Sequence, residues 1–233
     1  MTVTACSDSD NNDAPDVDAQ DEALKAVVKD YVDCTVVPTY RGLADAAVKL
    51  ADVCDEMCEG GIANLTTAQI EEAGRYWIEA RRYWELSEAW LYGAAADYDI
   101  DPHIDTWPLD KAAMESMLNN PAQMAQMSDR ESAGEYVGSS LGQGLLGFHA
   151  IEYMIFEPSS SSAVTTSPRP VSRFTQNELF YLAAVADDLR NCCLRLEASW
   201  ADAGTVAQSK LDILDAAELS YDCLLYTSPS PRD

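Results

Sequence analysis

Apolar residues recur at spacings of three and four along most of this chain, and no stretch alternates apolar with polar as a half-buried strand would. The pattern predicts a helix from about 20 to 57. Ala23, Leu24, Val27, Val28, Tyr31 and Val32 share one face of it, and Pro38 kinks or restarts it. Leu43, Ala46, Ala47, Leu50, Ala51 and Val53 continue the stripe until Gly60-Gly61 closes it. Thr66 to Gln69 fits a capping box, and a long helix is expected from about 67 to 96. Asp97 to Trp107 reads as an acidic loop. Pro108 suits a first helical position, so a short helix is expected over about 108 to 119, broken by Asn119-Asn120-Pro121. One or two helices follow between about 129 and 157, with Gly138, Gly142, Gly144 and Gly147 spaced through them. Such glycines fit either a helix break or backbone cleared for a close neighbour. After a Ser/Thr/Pro loop, Thr175 to Glu178 forms a second capping box, opening a helix over about 176 to 201 and a last one over about 205 to 222. The expected fold is all-α, an antiparallel bundle of about six helices.

Charge changes what that bundle can meet. A formal net charge of -25 makes phosphate-rich partners repulsive, so neither nucleic acid nor an anionic membrane surface is an expected partner. Cations and basic partners are favoured instead. The 7 cysteines include no Cys-x-x-Cys pair. Cys54 and Cys58 lie one helical turn apart and Cys192-Cys193 are adjacent, so they read as small buried hydrophobes, with at most one bridge, through Cys34.

The two ends read differently from the middle. Val3-Thr4-Ala5-Cys6 resembles the end of a bacterial lipoprotein signal, which makes Cys6 the expected lipidation site and a lipid the expected route to the membrane. Residues 1–18 are then a signal remnant and an acidic disordered tether. Residues 223–233 resemble a translated sequencing-adapter frame, a non-native tail, with the native protein expected to continue beyond 222. Residues 19–222 form the expected helical domain.

The chemistry concentrates in Gly147-Phe148-His149-Ala150-Ile151-Glu152, inside the apolar run Leu145 to Phe156. On a helix, His149 and Glu152 share a face, and such a pair is stable when buried only if its members bond each other or hold a metal. Glu85 and Glu88 repeat the spacing on a helix rich in Trp and Tyr. Their partner is either Arg81 or Arg82 of the same helix, or a cation shared with His149 and Glu152. One nitrogen with two or three carboxylate oxygens suits iron, zinc or manganese. The chain has no P-loop and no His-Glu-x-x-His, so it shows neither of these enzyme signatures.

Four blocks carry a resemblance to a known family. Val36 to Tyr40, Arg81 to Gly93, Ile104-Asp105-x-Trp107-Pro108-Leu109-Asp110 and Gly147-x-His149-x-x-Glu152 occur in the order found in the imelysin family, over roughly residues 23 to 201. The resemblance implies an all-helical, exported protein whose fold is two bundle-like halves, of which this chain carries the first. It implies a site near the junction of the halves, with His149, Glu152 and Glu88 as metal ligands, Glu85 and Asp105 as further candidates, and Arg81 orienting a carboxylate. The expected cargo is a divalent or ferric cation, iron first, with zinc or copper as alternatives, handed to an iron-transport partner protein in the cell envelope at the outer membrane. The alternatives are a metal-dependent peptidase, as the family's name suggests, and a helical binding module in which His149 and Glu152 form only a buried hydrogen bond.

Overall fold

The computed structural model of the chain describes residues 17–158 and 166–221; Cys6 and the tail 223–233 lie outside them. The described residues are helical. They comprise α1 (Val17–Tyr31), α2 (Val37–Gly60), α3 (Thr67–Leu86), α4 (Ala94–Asp97), α5 (Ile100–Ile104), α6 (Lys111–Leu118), α7 (Pro121–Ser128), α8 (Ala133–Ser140), α9 (Gly147–Ile155), α10 (Gln176–Trp200) and α11 (Gln208–Ala216). Extended pairing among the described residues is a single antiparallel bridge between Phe156 and Pro168.

Three long helices make the frame. α2 lies between α3 and α10, and its buried Tyr40, Leu43, Ala47, Leu50, Ala51, Cys54 and Met57 follow the spacing of a helix packed on two sides. α10 is buried nearly all round, because α2, α8, α9 and α11 cover it from different directions. Both long helices that begin with threonine carry complete capping boxes, at Thr66 with Gln69 and at Thr175 with Glu178. Lys210 fastens α11 to the frame by reaching Glu197 of α10 at 2.5 Å and Asp45 of α2 at 2.6 Å.

The shorter elements depart from the sequence expectation for local reasons. The first helix is interrupted by a π-helical turn over Val32–Val36, and the Val37 N–H reaches back to the Val32 carbonyl. Pro38 follows at once, and the wider turn accommodates the hydrogen bond that proline cannot donate. The apolar stripe of α1 is not buried: Leu24, Val27, Val28 and Tyr31 are exposed, and Tyr31 meets the frame edge-on at Trp90. The long helix after Thr66 stops at Leu86 rather than near 96. The Ser87 hydroxyl takes the Trp84 carbonyl, the chain tightens into a 3₁₀ turn over Ser87–Trp90, and Gly93 turns it at φ 68°. Pro108 is not a first helical residue; it follows Trp107 through a cis peptide bond, and α6 begins at Lys111, capped by Asp110 on the Ala113 N–H. Asn119-Asn120-Pro121 is a restart as well as a break, since Asn120 accepts from the Ala122 and Gln123 N–H groups and Pro121 opens α7. Among the described residues Cys34, Cys54, Cys58, Cys192 and Cys193 are free thiols, so the expected bridge through Cys34 is not formed there.

Candidate functional site

The site is assembled where α3, α5 and α9 converge, and Gly147 sets how closely. Its φ is +70°, and a Cβ there would lie 2.0 Å from the Ile104 carbonyl oxygen, so only glycine lets α9 begin against the end of α5. Asp105 is the next residue after Ile104, and His149 is two residues into α9. The glycine of the Gly-x-His-x-x-Glu motif is therefore what brings an aspartate from one helix to a histidine on another.

Five side chains then form a line of alternating charge. Glu85 Oε1 lies 2.6 Å from an Arg81 terminal nitrogen. The other Arg81 terminal nitrogen donates to Asp105 Oδ1. The same oxygen lies 3.2 Å from His149 Nε2. His149 Nδ1 lies 3.0 Å from Glu152 Oε2. Asp105 Oδ2 is taken by the Trp84 indole N–H at 2.8 Å. Arg81 also lies over the Phe148 ring, and the Trp77 indole N–H donates to the Phe148 carbonyl at 2.9 Å, which fixes the first turn of α9. The exposed Trp107 ring stands edge-on to the imidazole, with centroids 4.9 Å apart.

This arrangement makes His149 a cation at neutral pH. The Asp105 contact first and the Glu152 hydrogen bond second outweigh burial and raise its pKa to about 9. Burial alone would push the Asp105 carboxyl up, but His149, Arg81 and Trp84 together hold it below the ordinary carboxylate range. Asp105 is thus a fixed anion with both oxygens engaged. Glu152, whose side chain is 37 % exposed, is the looser of the two carboxylates on the histidine.

The structure brings His149, Glu152, Asp105 and Arg81 together as expected and separates the other two acids from them. Glu85 is more than half exposed and pairs with Arg81 of its own helix, so it touches the imidazole only through two intermediaries. Glu88 lies beyond the end of α3, on the exposed side of the following 3₁₀ turn, and makes no hydrogen bond or ion pair among the described residues. The turn at Ser87 is the cause, because it takes Glu88 off the helical face that Glu85 occupies. Trp84 and Trp107 are the participants that residue spacing did not single out for a role; an indole N–H beside an isolated carboxylate has no signature in sequence.

A second histidine site lies on the other side of α5. His103 Nε2 is 2.9 Å from Asp188 Oδ2 of α10, and Cys192 stands one turn further along that helix. The Asp188 hydrogen bond raises the His103 pKa against the opposing effect of burial.

Comparison with known proteins places this architecture. The iron-regulated protein A of Synechococcus elongatus is 26% identical over 176 residues, a match that covers 76% of this chain and 40% of that protein. A crystal structure assigned as an iron-regulated protein A precursor from Parabacteroides distasonis superimposes with a TM-score of 0.62 at 28% identity, covering 77% of this chain and 45% of the other. An imelysin-like protein from Psychrobacter arcticum shares the fold, with a TM-score of 0.56 at 14% identity over 84% of this chain and 55% of its own. The chain thus spans less than half the length of the curated relative it matches. The imelysin model of the peptidase M75 class matches residues 36–220, and the chain belongs to the imelysin family.

Proposed function

We propose that this imelysin-family chain is part of an exported, envelope-anchored protein that binds a metal cation, iron first, as cargo for uptake, and that His149 with Glu152 is where the cation enters. The observation that carries this reading is the unequal hold on the two imidazole nitrogens. Nε2 faces Asp105, which Arg81 and Trp84 immobilise, whereas Nδ1 faces the more exposed Glu152. An aspartate that fixes one ring nitrogen and leaves the other for a cation is the usual second partner of a metal-bound histidine. Nδ1 and the Glu152 carboxylate supply one nitrogen and one or two oxygens, a donor set suited to iron, zinc or copper. Replacing the bound proton by a divalent cation keeps the alternation of charge along the line. The acidic chain draws cations toward the site, and the names of two relatives mark them as iron-regulated.

The test is metal content and affinity of the full chain beside its His149→Ala variant, with iron, zinc and copper offered in turn. Binding that His149→Ala loses and Glu88→Ala keeps supports this reading and names the metal. A folded chain whose metal affinity is indifferent to His149 refutes it and leaves the pair a structural hydrogen bond. Hydrolysis of an unfolded protein that stops on adding chelator would replace the uptake reading with the peptidase one.

A further inference from the structure

The pair at His103 is built differently, and it points to a second metal site. His103, Asp188 and Cys192 each offer a donor atom, and the three atoms all lie within 4.8 Å of one another. Asp188 and Cys192 are one turn apart on α10, so their side chains leave the helix on the same side, and α5 brings the imidazole to meet them. The Asp188 carboxylate is buried, and its second oxygen has no hydrogen-bond donor among the described residues. That oxygen faces Gly138 of α8, where a Cβ would come within 2.2 Å of it and 3.8 Å of His103 Nε2. Gly138 therefore keeps open the space in front of both donors. The three side chains line a cavity of about 240 Å³, which Glu135 and Arg195 also border. Arg195 forms no ion pair with Asp188: its guanidinium stacks on Tyr98 and donates to the Ser220 carbonyl at 2.7 Å.

We infer that His103, Asp188 and Cys192 form a nitrogen, oxygen and sulfur site for a divalent cation of zinc type, with a fourth position open to the cavity. The inference stands independently of the reading given to His149. A thiolate and a carboxylate with a neutral imidazole carry two negative charges, which one divalent cation cancels in a partly buried setting. Binding displaces the Cys192 thiol proton and the His103 Nε2 proton to solvent, leaves the imidazole neutral with its proton on Nδ1, and substitutes metal–ligand bonds for the His103–Asp188 hydrogen bond, with no change of oxidation state. A sulfur ligand disfavours magnesium and calcium, and three protein ligands with one open position are a familiar zinc arrangement. Tetrahedral bonds of about 2.0 to 2.3 Å require the donors to close in from their present spread.

Cobalt(II) is the probe, because a cobalt–thiolate bond absorbs in the near ultraviolet and a hydrogen-bonding role for these residues produces no such band. The full chain, freed of metal, is titrated with cobalt beside the Cys192→Ser, His103→Gln and His149→Ala variants, each checked for helical circular dichroism. The expected result is a charge-transfer band that saturates at one equivalent, is lost in Cys192→Ser, is lost or needs far more cobalt in His103→Gln, and survives in His149→Ala. Zinc should then bleach it. A folded chain that shows no band overturns the inference, as does a band that persists in Cys192→Ser or disappears only in His149→Ala. If Cys192→Ser fails to fold, the His103→Gln titration decides alone, since His103 is only partly buried, on five-residue α5 rather than in the α10 core.

Discussion

His149 and His103 each lean on an aspartate from a different helix, and both contacts run through α5: Asp105 leaves its end toward α9, and His103 leaves its last turn toward α10. The surroundings then diverge. Around His149 two carboxylates approach opposite ring nitrogens, so the donors lie in a line and the proton between them is held firmly. Around His103 the donors converge on one point, one carboxylate oxygen is left over, and a thiol joins them. The same residue types are thus arranged in two ways. A linear arrangement is satisfied by a proton and must exchange it to take a metal, whereas a convergent one is satisfied by a metal and holds a proton only in its absence.

The largest effect is expected at Gly147→Ala, where a left-handed φ and a 2.0 Å clash with backbone combine. A loss on the order of 4 kcal/mol or more should appear as a collapse of the urea midpoint, and His103 should lose its neighbour together with His149. Asp105→Ala comes next. It leaves the Trp84 indole unpaired and takes one of their two acidic partners from Arg81 and from His149, and a loss of about 3 kcal/mol is expected in urea unfolding with the slope unchanged.

The pH dependence sharpens the contrast. His149 has a folded pKa of about 9, above its unfolded value, so its stabilisation is complete below about pH 6.5, declines as pH rises, and is gone above about pH 9. For the metal-free chain this amounts to about 2 kcal/mol once solvent screening at Glu152 is discounted. His103 has the same sign, so His149→Ala should flatten the slope between those limits without abolishing it. Denaturant midpoints across that range measure it. Glu152→Gln should lower the His149 pKa without returning it to normal, because Asp105 remains, and should cost roughly 0.5–1 kcal/mol; imidazole chemical shifts report the first and unfolding the second. Glu85→Ala, on an exposed pair, should cost no more than about 0.5 kcal/mol, and a larger loss would mean that the line of charges acts as a unit.

The frame was legible in the sequence because α2 and α10 carry apolar residues at helical spacing, and Thr66 and Thr175 announce their helices. The stripe on α1 was equally regular and misleading, since periodicity records a face that could be buried and not whether a neighbour covers it. Helix ends were lost wherever a single side chain decided them: Ser87 ending α3, Asp110 starting α6, Asn120 starting α7. The same Ser87 turn explains why Glu88 read as a companion of His149 and is not one. His149 and Glu152 were legible because three residues make one turn. Asp105 came only through the resemblance to the imelysin family. The His103–Asp188–Cys192 group, drawn from positions 85 residues apart, left no local pattern to read.

Trp107 gives the His149 site an optical consequence. It is the one exposed residue, at 69%, of the chain's 5 tryptophans, all of them among the described residues, and it stands edge-on to an imidazole that is cationic at neutral pH. A charged imidazolium accepts an electron from an excited indole far more readily than a neutral ring does. The red-shifted part of the protein's fluorescence should therefore be dim while His149 is protonated and brighten as the proton leaves. The site carries its own lamp, readable without any label.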